Sequence, residues 1–226
     1  MFLTLAKEFG VASMVSAISV NLKENSVNKI RCSVSSLKQE HDAISFSLLE
    51  ESLPFPYPPY LDIAKKFTDF QGALNSEVLQ IVDLPEGRYR LVIDKTEIGT
   101  YSSVDFFKGV DIGDISSTPQ YCQALEGAKI NSKLQEKVLQ FRNFRLMEKG
   151  KGYLQEGGTY PQKITKVVAK PDGTMVSEPD EDAERKFADK AKEIPAVLAE
   201  ITRLREELYR QCKPVVHHYI IEPVRK

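Results

Sequence analysis

The clearest alternation of apolar and polar positions lies between Leu84 and Tyr101. Tyr89, Leu91 and Ile93 alternate with Arg88, Arg90 and Val92, the two-residue period of a strand with one buried face. Pro85-Glu86-Gly87 predicts a turn before it, because proline fixes φ early and glycine accepts φ > 0 late. Asp94-Lys95-Thr96 predicts a reversal, after which Glu97 to Tyr101 returns beside the first strand. Upstream the same period recurs. Ala17 to Lys23 places Ile18, Val20 and Leu22 on one face, and Lys29 to Leu37 does so with Ile30, Cys32 and Val34, with Asn25 and Ser26 as turn formers between them. Glu40-His41-Asp42 predicts the next turn, Ala43 to Glu50 repeats the pattern through Ile44, Phe46 and Leu48, and Glu77 to Asp83 predicts a further strand. Short strands at such spacing predict a small antiparallel sheet or sandwich.

Downstream the period lengthens. Ser102 to Gly109 predicts a short helix capped by serine and stopped by glycine, followed by a loop over Val110 to Ser117. Thr118 as N-cap and Pro119 at the first helical position begin a helix to about Glu148, with Ile130, Leu134, Val138 and Phe141 as its apolar stripe. A helix of that length measures about 45 Å. Lys149 to Pro161 is a glycine-rich connector, and Gln162–Ala169 and Thr174–Ser177 bracket Pro171-Asp172-Gly173 as a hairpin. Asp180 to Gln211 predicts a second long helix with Phe187, Ala191, Ile194, Leu198, Ile201 and Leu208 as its stripe. Pro195 inside it predicts a kink near Glu193 or two helices meeting there. Val215 to Glu222 closes as a strand. The fold class is therefore α+β: a small antiparallel β-sheet or sandwich followed by long helices with a short β-hairpin.

Three stretches stand apart from this pattern. Met1 to Gly10 reads as the second half of an amphipathic helix, with Phe2, Leu5, Ala6 and Phe9 on one stripe and Gly10 as its stop. The four prolines of Leu53 to Tyr60 exclude a central strand and predict an extended surface crossing pinned by its aromatic side chains. Leu61 to Phe70 is compatible with a helical turn or a loop.

Composition adds little. A chain of 226 residues buries roughly 70% of its extended surface, enough for a core without staples. Net charge is −1, which leaves no electrostatic footprint for nucleic acid or an anionic membrane, and no apolar run approaches a membrane span. Cys32, Cys122 and Cys212 lie far apart and form neither a CxxC pair nor a disulfide framework.

Candidate chemistry is sparse. Of His41, His217 and His218, the first lies in a predicted turn and the other two face opposite sides of the last strand, with no partner acid evident in the sequence. No G-x-S-x-G elbow occurs. Gly113-Asp114-Ile115 imitates a Gly-Asp-Ser nucleophile block with isoleucine where the serine must stand. Gly150, Gly152, Gly157 and Gly158 do not match a phosphate loop, and the histidines and cysteines give no metal-ligand cluster. Arg142 and Arg145 read as a solvated helical face. No catalytic, cofactor-binding or metal-ligating residue is predicted.

Leu53-Pro-Phe-Pro, Leu84-Pro-Glu-Gly-Arg-Tyr-Arg-Leu-Val-Ile-Asp, Gly109-Val-Asp-Ile, Thr118-Pro-Gln-Tyr-Cys-Gln-Ala124 and the ending Lys213-Pro-Val-Val-His-His-Tyr219 together resemble the C-terminal half of a bacterial group of SGNH (GDSL-like) hydrolases. In that group the esterase domain comes first and a β-rich appendage follows. The resemblance implies that residues 1–15 are a remnant of the last SGNH-domain helix, 16–117 a β-rich accessory domain and 118–226 a helical region with a short hairpin. It implies that the chain begins after the family's Gly-Asp-Ser and Asp-x-x-His-Pro blocks, so no family catalytic residue carries over. The expected role is then a non-catalytic accessory part, partnered in cis by an SGNH catalytic domain and by carbohydrate or acylated glycan, without nucleic acid, membrane or cofactor. Export is implied by the family, while the sequence shows no signal peptide. The alternative is a stand-alone carbohydrate-binding module using Tyr57, Tyr60 or Tyr89; a third reading is a truncated product with no role of its own.

Overall fold

The computed structural model describes residues 8–40, 43–56, 69, 71–153 and 165–224. They divide into two compact units, one formed by the chain up to Ala128 together with the segment from Tyr209 onward, the other running from Lys129 to Leu208. The fold is α+β.

The first unit holds β1 (Met14–Asn21), β2 (Ser26–Ile30), β3 (Cys32–Glu40) and β4 (Ala43–Glu50), then a π-helical turn at Gln71–Asn75. There follow β5 (Ser76–Val82), β6 (Arg88–Ile93), β7 (Thr96–Ser102), α1 (Ser103–Lys108), β8 (Val110–Asp111) and the start of α2 (Pro119–Tyr153). In the second unit lie β9 (Thr165–Ala169), β10 (Met175–Pro179) and most of α3 (Glu181–Gln211), and β11 (His217–Pro223) returns to the first. One sheet has the order β2-β1-β5-β8 and the other β3-β4-β11-β6-β7. All pairings are antiparallel except that of β1 with β5, which is parallel.

The two sheets share one core. Ile18, Val20, Leu79 and Ile81 meet Ile44, Phe46, Leu48, Leu91, Ile93 and Ile221 in a single apolar cluster. Phe46 and Tyr219 stack at 5.1 Å within it. Apart from the stretch around Ile30, the inward residues read from the alternation lie in or against this core.

Several expectations need correction. The strand expected over Lys29 to Leu37 is two strands, because Arg31 takes φ 57° and turns the chain from the first sheet to the second. Ile30 consequently faces solvent, while Val34 packs on the core. The loop expected after Gly109 contains β8, which pairs with β5. Phe55 in the proline-rich crossing is also held by its backbone: its N–H donates to Asn75 Oδ1 at 2.5 Å and its carbonyl accepts from Asn75 Nδ2 at 3.0 Å. Met1 to Lys7, the His41-Asp42 turn, Tyr57 to Tyr60 and nearly all of Leu61 to Phe70 lie outside the described residues.

The local signals at the turns hold. Ser102 and Asp105 form a capping box at α1, and Gly109 takes φ 94° at its end. Asp94 and Lys95 both adopt φ > 0, the mirror-image turn that matches strand twist in a tight hairpin. Gly10 takes φ 69° and Gly173 φ 82°, where a stop and a hairpin turn were expected.

In the second unit Leu134, Val197, Ile201 and Leu204 form a core, with Ile130, Phe141 and Leu208 packed against it. Phe144 and Phe187 stack at 5.1 Å. The stripe of α3 is rotated from the expected one: Val197 and Leu204 are buried, and Leu198 is 42% exposed. Val197, Ile201, Leu204 and Leu208 keep the three-and-four spacing of one helical face, whereas Leu198 falls about 100° off it. Of the two outcomes expected near Glu193, a kink or two helices meeting, the second does not occur. α3 runs unbroken through Pro195, which forfeits one hydrogen bond while the packing just beyond it sustains the helix.

Candidate functional site

Extending the inward period past the apolar residues leads to polar ones at a single end of the sandwich. On β4 the series Ile44, Phe46, Leu48 continues to Glu50, and on β5 Leu79 and Ile81 are preceded by Glu77. On β11 the inward series is His217, Tyr219, Ile221, and on β1 Ser16 precedes Ile18 and Val20. Ser16 and Glu77 are register partners in the parallel β1–β5 pair. All of these polar side chains are buried, and α2 sends Gln120 into the same layer with no exposed surface.

The layer is tightly bonded. Ser16 Oγ donates to Glu50 Oε1 at 2.8 Å. Gln120 Nε2 donates to Glu77 Oε1 at 2.5 Å and lies 3.0 Å from the Tyr219 hydroxyl, which approaches the same Glu77 oxygen at 3.4 Å. Burial, then the charge of Glu50 and the hydrogen bond between the two carboxyls, push Glu77 well above the ordinary glutamate range. Burial also raises Glu50, against which hydrogen bonds from Glu77 and Ser16 and the charge of His217 work. Of the two raised carboxyls Glu77 is pushed further, the direction that favours a proton on it beside Glu50. Burial and the neighbouring carboxyls raise the Tyr219 hydroxyl too, so it stays protonated.

Behind Glu50 stands His217, whose Nδ1 lies 2.5 Å from Asp94 Oδ2. Asp94 sits on the β6–β7 turn, and its other oxygen accepts the His218 amide at 2.8 Å. Burial acts to raise Asp94, but the bonds from His217 and His218 outweigh it and hold the carboxyl below its ordinary value. The charged Asp94 makes Nδ1 of His217 the donor. Nε2 of His217 and Oε1 of Gln120 are buried without a hydrogen-bond partner.

An acid–histidine pair is part of a nucleophilic site only if a hydroxyl or thiol meets the histidine's other nitrogen. Among the described residues none is hydrogen-bonded to His217, and Glu77, Gln120 and Tyr219 are sealed from substrate. On the outer face of the sheet Ser47 Oγ approaches His218 Nδ1 at 3.5 Å, the limit of a hydrogen bond. Among the described residues no carboxylate is hydrogen-bonded to that ring.

The residues weighed from sequence fall elsewhere or turn structural. His217 and His218 do face opposite sides, one buried and one exposed, but Asp94 is a partner the sequence did not reveal. His41 lies outside the described residues. Gly113 and Asp114 receive Asn75, whose Nδ2 donates to Gly113 O at 3.2 Å and to Asp114 Oδ1 at 3.3 Å. Arg142 is exposed, and Arg145 pairs with Glu148 along the helix. Cys32 is half-buried with Sγ 3.6 Å from Ala17 O, and Cys122 and Cys212 are exposed. Among the described residues no group of three or more His, Cys, Asp or Glu side chains is placed to hold a metal, and no helix is long and apolar enough to cross a membrane. Tyr89 is 2% exposed and its hydroxyl donates to Pro85 O at 2.9 Å, so it offers no stacking surface.

No family model and no curated protein matches the chain. It is similar to a solved structure, BT4096, described as a gut microbial diltiazem-metabolizing enzyme, with a TM-score of 0.76 and 25% identity over 98% of this chain. The match covers 54% of that enzyme, so the chain spans about half its length.

Proposed function

We propose that this chain is the non-catalytic accessory part of an ester-cleaving enzyme of the SGNH type. The observation that carries the reading is the asymmetry of the structural match, nearly the whole of this chain against about half of a larger enzyme. The resemblance blocks Leu84 to Asp94, Gly109 to Ile112, Thr118 to Ala124 and Lys213 to Tyr219 point the same way, since they build strands, turns and a helix start. Diltiazem carries an acetyl ester, the kind of bond a serine esterase opens through a tetrahedral intermediate held by backbone donors. The sealed polar layer fits a part that supports such a site without supplying it.

The test combines mass and reactivity. An antibody to this chain would be used to recover the native protein from its source cells, followed by intact mass and labelling with a serine-directed fluorophosphonate. A species well above 25.5 kDa that takes up the label outside these residues is the expected result. Stoichiometric label on these residues would overturn the non-catalytic reading. An unlabelled species of 25.5 kDa would overturn membership in an enzyme.

A further inference from the structure

Glu77 on β5 is faced by Glu50 from β4, Tyr219 from β11 and Gln120 from α2. Glu50 is flanked by the uncharged Ser16 of β1 and by His217 of β11, with Asp94 of the β6–β7 turn behind that histidine. Among the described residues no lysine or arginine is among the groups that shift either carboxyl. Gln120 is the cross-tie: it binds Glu77 of the first sheet and Tyr219 of the second from the first turn of α2. We propose that this layer is a proton-operated latch, in which one proton shared by Glu50 and Glu77 keeps the start of α2 bolted to both sheets through Gln120, and loss of that proton releases it.

With the proton in place, Glu77 donates to Glu50 and its Oε1 accepts from Gln120. Without it, two carboxylates stand in contact in a dry interior, and their repulsion is relieved only by admitting water. Water entering there would satisfy two polar atoms that now lack partners, Gln120 Oε1 and His217 Nε2. The closed form retains a proton that Glu77 surrenders once wetted, so the latch is firm in acid and loosens as pH rises.

The test is amide hydrogen exchange of Gln120 to Ala124 in the full chain between pH 5 and 9, corrected for intrinsic base catalysis. In the wild type the opening constant should rise with pH, up to about tenfold per unit, the slope of one released proton. Glu77→Gln, which keeps a donor toward Glu50 but cannot ionise, should abolish that rise. Wild-type protection independent of pH, or a Glu77→Gln profile parallel to the wild type, would overturn the latch. Should that variant not fold, Glu50→Gln removes the charge that raises Glu77 and should shrink the rise of opening with pH; an unmoved profile would overturn the proposal equally.

Discussion

Replacing Gly113 by alanine tests whether the glycine of the Gly113-Asp114-Ile115 stretch is there for space. An ideal Cβ at this position lies 1.8 Å from the Asn75 carbonyl oxygen, 3.0 Å from its carbonyl carbon and 3.3 Å from Glu77 Cβ. Ordinary contact begins at 3.4 Å, so the two backbone segments would have to part by about 1.6 Å, the difference between 3.4 and 1.8. That movement strains the bonds from Asn75 Nδ2 to Gly113 O at 3.2 Å, from Gly113 N to Asp111 Oδ1 at 3.1 Å and from Ile112 N to Glu77 O at 2.8 Å. Overpacking alone costs about 1–3 kcal/mol, and each lost hydrogen bond about 0.5–1.5 kcal/mol. With one or two bonds lost, Gly113→Ala should destabilise by about 2–5 kcal/mol, a large fraction of the stability of an ordinary domain. Urea denaturation followed by circular dichroism reads this as a lower midpoint at unchanged slope. Gly87→Ala is the control, because its nearest contact would be Tyr89 Cε2 at 3.7 Å, and it should stay within about 0.5 kcal/mol of wild type. A Gly113→Ala protein as stable as that control would refute the argument from crowding.

Other outcomes follow from the same geometry. Leu204→Ala, at a side chain 2% exposed in the core of the second unit, should cost about 2–5 kcal/mol in urea denaturation, and a loss below 1 kcal/mol would mean that the Val197-Ile201-Leu204 face is not packed as described. Thr118 Oγ1 donates to Ile115 O at 2.9 Å and receives the Tyr121 amide at 3.4 Å, so Thr118→Ala should lose about 1–2 kcal/mol while Thr118→Ser largely retains it. Asp94 titrates below its ordinary 3.8 when folded, so its contribution is present above that pH and lost as pH falls through the folded value. The stability gap between wild type and Asp94→Asn should therefore narrow between pH 5 and 2, and remain under about 1 kcal/mol because the side chain is 39% exposed. A gap independent of pH in that range would count against the His217–Asp94 pairing.

Much of this fold is legible as alternation, and the failures have specific causes. Ile18, Val20, Ile44, Phe46, Leu91 and Ile93 are inward because the period of two leaves them no other face. Arg31 carries no such signal: it turns the chain with φ 57° although neither glycine nor asparagine marks the corner. The place of β11 between β4 and β6 is likewise invisible, because a strand's neighbours are chosen by pairing over more than a hundred residues. In α3 the adjacent apolar Val197 and Leu198 allow two phases of the stripe, and only the partner helix decides between them.

The polar layer was missed for a different reason, which is that strand periods were followed only through apolar residues. The sequence Ile44-x-Phe46-x-Leu48-x-Glu50 runs one step further than its hydrophobes, and Glu77-x-Leu79-x-Ile81 begins one step earlier. An ionisable residue in phase with a buried series is a signal in itself, since it must find a partner or a proton. What parity cannot supply is the meeting of these groups, which depends on a turn for Asp94 and a helix start for Gln120. Asp94, Gln120, His217 and Tyr219 all lie within the blocks that carry the family resemblance, which gives those blocks a structural reason to exist. The layer also makes register costly to change. A one-residue slip of β4 or β5 would turn Glu50 or Glu77 to the outer face and bring Leu49 or Val78 inward. A slip of β5 would then take the Glu77 carboxyl from Gln120 and Tyr219, and a slip of β4 would take Glu50 from Ser16, a penalty that an apolar layer at this end of the sandwich would not impose.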